Sequence, residues 1–386
     1  MNSVKEFRSY EEAMKDAESF GDSQNLLLGN GFSIACSKEF NYDNLRDRAE
    51  FKDLSVDYKE LFKDEDGNLL GDFETVIARL NDAAKIIELY GGNRSGDPIW
   101  GNCSGNDDII EAINGDVSCI RKALVNALYD VHPDDVNQIC YSRDMVDDHY
   151  KALGKFLKRF STIYTISYDM ILYWALLRMG SESDEKAVHD GFCRKDGIPS
   201  SLADYSPLRW SGGVHLDSPK GSVDVYYLHG ALHLYEEDGE IFKFKRSRDK
   251  YLMEVVRGFF GYSGDRIPLV VTEGSSAEKL NRIENNDYLR HCLNSIESMS
   301  GALFTYGVSF SDNDKHIVRQ LARAKGLKKV YVGCYGESLS ELDSFRSAWK
   351  SVIAEAGDGR GGEPELATFP SGTVNIQNRN QVHMYV

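Results

Sequence analysis

The chain has 386 residues, 41% of them hydrophobic, and a formal net charge of −16. That length supports a large core in two or three domains, or in one domain carrying big insertions. The acidity argues against an extended phosphate-backbone footprint, which needs clustered Lys and Arg; the densest basic group, Lys243, Lys245, Arg246, Arg248 and Lys250, reads as a solvated hairpin and helix face. No apolar run is long enough for a membrane span, and Met1–Arg8 lacks an apolar signal core. Seven cysteines are scattered at 36, 103, 119, 140, 193, 292 and 334 with no Cys-x-x-Cys pair, which argues against a disulfide framework or a four-cysteine zinc module. A cytoplasmic protein is expected.

In chain order, residues 4–20 read as a short amphipathic helix with Phe7, Tyr10, Ala13, Met14 and Ala17 on one face. A strand is expected at 24–29, running into Gly29-Asn30-Gly31-Phe32-Ser33. Residues 45–158 show helical segments separated by polar, glycine-containing loops and no convincing strand, so they read as a helical insertion. Strand 161–166 and a helix at 169–178 resume the α/β alternation. Residues 180–222 are rich in Gly, Ser, Asp and Pro and read as an irregular excursion. Strand 223–228 then meets His229-Gly230, followed by a hairpin that turns at Asp238-Gly239. Strands at 268–272, 302–306 and 329–332 alternate with helices, including one at 312–325. The tail from 356 is Gly-rich, with a last strand near 373–376. The strands are short, continuous and apolar, as in a parallel sheet covered on both faces.

Ligands of open parallel sheets gather at the carboxyl ends of the strands. Those ends carry Gly29–Ser33, Ser167-Tyr168-Asp169, His229-Gly230, Glu273-Gly274-Ser275 and Gly307-Val308-Ser309. The first group is a Gly-x-Gly turn between strand and helix, suited to placing backbone N–H groups beside a pyrophosphate, although the third glycine of the dinucleotide fingerprint is missing. Each group also has a structural reading: tight packing for the glycines, a helix start for Asp169, a capping box for Ser311 with Asp314, and a satisfied buried ring for His229.

Taken together and in order, these motifs resemble the sirtuin-like superfamily of NAD-binding α/β domains, and more closely its bacterial antiphage-defence members. The resemblance covers about 24–36 and 160–340. Gly29–Ser33 matches the family's pyrophosphate loop, Thr165–Asp169 its Thr-x-Asn-x-Asp motif, and His229-Gly230 its His-Gly motif. Glu273 falls at the Phe-Gly-Glu turn, and Gly307–Ser309 at the Gly-Thr-Ser loop. A Rossmann-like, mostly parallel sheet follows, made from 1–44 and 159–355 around the helical insertion, with 356–386 as a tail.

The resemblance implies NAD as substrate, cleaved by water to ADP-ribose and nicotinamide. His229, Asp169 and Ser167 are the expected catalytic residues. Gly29, Asn30, Gly31, Phe32, Ser33, Tyr168, Gly230, Glu273, Gly307 and Ser309 line the nucleotide, with the N–H groups of Gly31, Phe32 and Ser33 on the pyrophosphate and Phe32 or Tyr168 walling the nicotinamide. It also implies a homo-oligomer and a partner such as a HerA-type DNA translocase ATPase.

Two departures stand out. The zinc module of deacylating sirtuins is absent, which points away from lysine deacylation, and Ser167 stands where the family has asparagine. The second departure leaves a non-catalytic NAD- or ADP-ribose-sensing subunit as the alternative. No metal site is expected, because His229 and His233 lie on a strand and hairpin where i,i+4 spacing does not align them.

Overall fold

The computed structural model describes residues 4–21, 24–91, 106–133, 151–179, 187–194, 206–212, 222–246, 252–261, 267–336, 338–356 and 364–376. Two compact units emerge: Met1–Lys38 with His132–Val271 and Leu280–Val386, and Glu39–Val131 with Thr272–Lys279.

The first unit is built on a parallel sheet of β1 (Lys5–Glu6), β2 (Gln24–Leu28), β3 (Thr162–Thr165), β4 (Val188–His189), β7 (Val223–Tyr227), β10 (Ser300–Tyr306), β11 (Gly326–Cys334) and β12 (Glu365–Pro370). Their spatial order is β1-β12-β11-β10-β2-β3-β7-β4, and every pairing is parallel. From β2 the chain moves outward through β3 to β7, then returns to β2's other side for β10, β11 and β12. This is the Rossmann-like order, and it creates a topological switch point between β2 and β10. All five residues of β2 and six of the seven in β10 are buried, because helices cover both faces. On one face Tyr10 and Phe160 pack against Phe304, Tyr10 also meets Phe369, and Phe156 packs against Tyr10 and Phe160, all edge-on or tilted.

A second, antiparallel sheet has the order β5 (Phe192–Arg194), β6 (Leu208–Trp210), β9 (Glu240–Lys243), β8 (Leu234–Glu237). The β8–β9 hairpin turns where expected, with Asp238 and Gly239 both at positive φ. The second unit is helical, with Phe73–Gly91 packed along Asn106–Val131.

Several expectations are corrected. The opening segment is a two-residue strand followed by a helix over Tyr10–Ala17 only, because Lys5 and Glu6 pair with β12. The region 180–222 is not wholly irregular; β4, β5 and β6 arise within it, each too short to show a period. Residues 268–272 form no sheet strand. Leu269 and Val271 bond to Ala231, Leu234 and His229, with one antiparallel bridge at Gly230–Val270. Residues 373–376 form no strand; the last strand among the described residues is β12, and 371–373 form a 3-10 turn. The helix expected over 312–325 is a 3-10 turn at Asp312–Asp314 followed by Lys315–Leu321. The helical unit comprises Glu39–Val131 with Thr272–Lys279, and the helical residues 151–157 belong with the sheet. Lys243 is not solvated. It is buried, ion-paired with Asp190, and lies over the Tyr173 and Phe192 rings.

Candidate active site at the carboxyl edge of the sheet

The turn after β2 and the turn after β10 meet at the switch point. Gly29 N–H donates to Tyr306 O and Gly31 N–H to Gly307 O, each at 3.0 Å. A Cβ on Gly31 would lie 2.5 Å from Gly307 Cα, and one on Gly29 would lie 2.2 Å from Gly307 O. Gly307 itself has φ +65. The three glycines therefore exist first to let two backbones touch. This corrects the expected phosphate contact: the Gly31 N–H is used by Gly307, and the Phe32 N–H bonds Gly29 O at 3.0 Å. Phe32 is likewise a core side chain, edge-on to Tyr306 at 6.2 Å, and not a pocket wall. Tyr168 is buried as well. Asn30 is half-buried and Ser309 exposed, so these two keep polar side chains at the rim.

Asp169 ties three elements together. Its Oδ2 accepts from Ser33 Oγ, on the helix Asn30–Cys36, and from Ser167 Oγ. Its Oδ1 accepts from Ile171 N–H at 2.8 Å, at the start of the helix Ile171–Met179. Asp169 thus opens a helix, as its structural reading expects, and it does so among the strand ends. Ser167 is pinned further by its own N–H, which donates to Thr165 Oγ1 at 3.1 Å.

His229 follows β7 and is 2% exposed. Gly230 turns the chain at φ +73, and a Cβ there would lie 1.9 Å from Leu269 O. The His229 ring meets a residue that sequence reasoning missed: its Nε2 lies 2.9 Å from His316 Nε2, with ring centroids 5.1 Å apart. Asp314 Oδ1 is 4.0 Å from the same His229 nitrogen. Asp314 does not form the expected capping box, because the Ser311 side chain makes no cap bond and only the Ser311 carbonyl receives the Asp314 N–H. The chain reaches Asp314 and His316 through Phe310, a buried aromatic at φ +52 held edge-on to Phe345 at 4.9 Å. A left-handed backbone at a bulky residue costs roughly 1–3 kcal/mol, which marks this turn as fixed by its surroundings. The signal available in sequence was the Asp-x-His spacing just beyond Gly307–Ser309.

His229, Asp314 and His316 each offer a metal-ligating atom, all within 4.8 Å of one another. The 5.1 Å centroid separation, set against a 2.9 Å nitrogen contact, places the two ring nitrogens almost on the line joining the rings. The lone-pair directions then face each other instead of converging on a third point, which is the geometry of a shared hydrogen and not of a common ion.

Glu273 belongs to the helical unit, where its carboxylate lies 3.8 Å from Arg121. His233 is fully buried between Tyr173 and Tyr227, and neither ring nitrogen has a hydrogen-bond partner among the described residues. Burial, then Lys243 and His132, push its pKa well below the usual histidine value.

No helix among the described residues is long and apolar enough to cross a membrane. No curated protein matches the chain. The family described as Domain of unknown function (DUF4917) matches over residues 26–347, and the chain belongs to that family.

Proposed function

We propose that this protein binds NAD at the switch point of its sheet and hydrolyses it to ADP-ribose and nicotinamide, as a sirtuin-like NAD glycohydrolase of a bacterial antiphage defence system. The observation carrying this reading is the convergence of Asn30, Ser167, Asp169, His229 and Ser309 on the carboxyl ends of β2, β3, β7 and β10 in a Rossmann-like sheet. Asn30 and Ser309 take the phosphate and ribose contacts. Water attacks C1′ of the nicotinamide ribose as the glycosidic C–N bond breaks, the bonding pair leaves with nicotinamide, and the water proton passes to His229. Asp169 lies where its charge offsets the positive character that develops on the ribose. The protein acts in the cytoplasm as a homo-oligomer, restrained by assembly or by a partner such as a HerA-type ATPase, since unrestrained hydrolysis would exhaust cellular NAD. Purified protein incubated with NAD, with and without the protein encoded beside it, is expected to release nicotinamide. Full activity in His229→Ala overturns the role given to His229.

One observation favours a second reading. The Ser167 hydroxyl is engaged with Asp169, so the group standing in for the family's asparagine is turned toward the protein. A subunit that senses NAD or ADP-ribose without cleaving it fits that arrangement. Calorimetric NAD binding with no nicotinamide release, even with the partner present, would select it.

A further inference from the structure

We infer that His316 is a positioning residue that fixes the ring tautomer of His229, keeping the hydrogen on His229 Nε2 and the basic lone pair on Nδ1. A 2.9 Å contact between two imidazole nitrogens requires that one carry the hydrogen and the other accept it, because two lone pairs would repel at that distance. Asp314 decides which. Its carboxylate oxygen is 4.0 Å from His229 Nε2, and a negative charge there favours the positive end of an N–H over a lone pair. His229 therefore donates and His316 accepts. The pair is buried, so water does not compete for this bond. The strained turn at Phe310 brings Asp314 and His316 to the site together, on one short stretch of chain.

The role of Nδ1 as the base rests on the hydrolase reading; the tautomer does not. When His229 takes up the water proton at Nδ1, its Nε2–H remains bonded to His316, and the new positive charge lies beside the Asp314 carboxylate. A cation held by the cluster would exclude a hydrogen shared between the two rings, and a Zn²⁺ titration of the wild-type protein detects it.

The test uses the full chain labelled with ¹⁵N-histidine, with long-range ¹H–¹⁵N spectra at neutral pH and His229 assigned through His229→Gln. The expected result is the Nε2–H tautomer for His229. That pattern should be lost in His316→Ala and kept in His316→Gln, whose amide oxygen can still accept. Nicotinamide release should fall at least about tenfold in His316→Ala through kcat with KM unchanged, and recover in His316→Gln. An Nδ1–H tautomer for His229 in the wild-type protein overturns the proposal, whatever His316→Ala does to folding. So does stoichiometric Zn²⁺ binding by the wild-type protein that disappears in His316→Ala. An Nε2–H tautomer in a wild-type protein that releases no nicotinamide supports the positioning assignment and overturns the hydrolase reading alone.

Discussion

At the switch point Gly29, Gly31 and Gly307 meet backbone to backbone, while two strands away His229 and His316 meet side chain to side chain. In the first region the absence of side chains is what permits the contact. The polar groups satisfy one another, and any added carbon collides with main chain that cannot yield. In the second region the side chains are everything, and the backbone serves to bury two imidazoles that would otherwise be hydrated separately. The glycine crossing should therefore answer to volume and report in stability, and the histidine pair should answer to proton chemistry and report in activity. A sequence motif can mark either kind of region, and only the contact partner tells them apart.

The sharpest way to break this comparison is Gly307→Ala, which combines a positive φ with a Cβ placed 2.5 Å from Gly31 and Phe32 backbone. Roughly 3 kcal/mol or more of destabilisation is expected, read as a fall in Tm or in the urea midpoint. A near-neutral result would mean the two turns are not in contact. On the other side, His229→Ala should lower nicotinamide release by about 10²-fold or more with a much smaller effect on Tm. A large loss of stability with activity per folded molecule preserved would move His229 into the structural class.

Asp169 combines a structural role with the catalytic role proposed for it, so Asp169→Asn should register in both stability and activity. Replacing the acceptor that serves Ser33, Ser167 and Ile171 is expected to cost about 1–3 kcal/mol in urea unfolding and to reduce activity as well. A change in one readout alone would assign the residue to one class.

Two controls away from the site calibrate the stability scale. Burial raises the pKa of Asp16, but hydrogen bonds from Lys329, Lys5 and Tyr331 outweigh it and hold the value at about 2. A folded-state pKa below the unfolded one means the stabilisation is present above the unfolded value of 3.8 and disappears as pH falls toward 2. Asp16→Asn should remove about 2 kcal/mol at neutral pH and flatten that acid limb.

His233 predicts the smallest effect. It is buried neutral, so below its usual value of 6.5 the unfolded chain binds a proton that the folded one refuses, and stability declines as pH drops. His233→Phe should make the wild-type decline between neutral pH and about 5 shallower in urea titrations. An unchanged slope would show that His233 does not titrate on unfolding.

Among the strands, β2, β3, β7, β10 and β11 were legible because continuous apolar runs ending in small or polar residues are what a doubly covered parallel sheet demands. The hairpin turn at Asp238-Gly239 was legible for an equally local reason, the need for two left-handed residues in succession. By contrast β4, β5 and β6 are two or three residues long, and their partners lie far along the chain, so no window of sequence contains the reason they form. The site divides the same way. The positions of Asp169 and His229 at strand exits could be read from sequence, but the purpose of the glycines could not, since Gly29 and Gly307 are hundreds of positions apart and only their collision explains them. His316 was missed because its one local signal, the Asp314-x-His316 spacing, does not name the second histidine that it faces.

Sequence by itself determined the periodicities, the order of strands and helices, and the small and ionisable residues at the strand ends, all of them properties of neighbours along the chain. Tertiary structure decided which N–H groups are already used, which carboxylate binds three elements, and which imidazole faces which. Those are properties of neighbours in space, and burial without water is what turns them into chemistry.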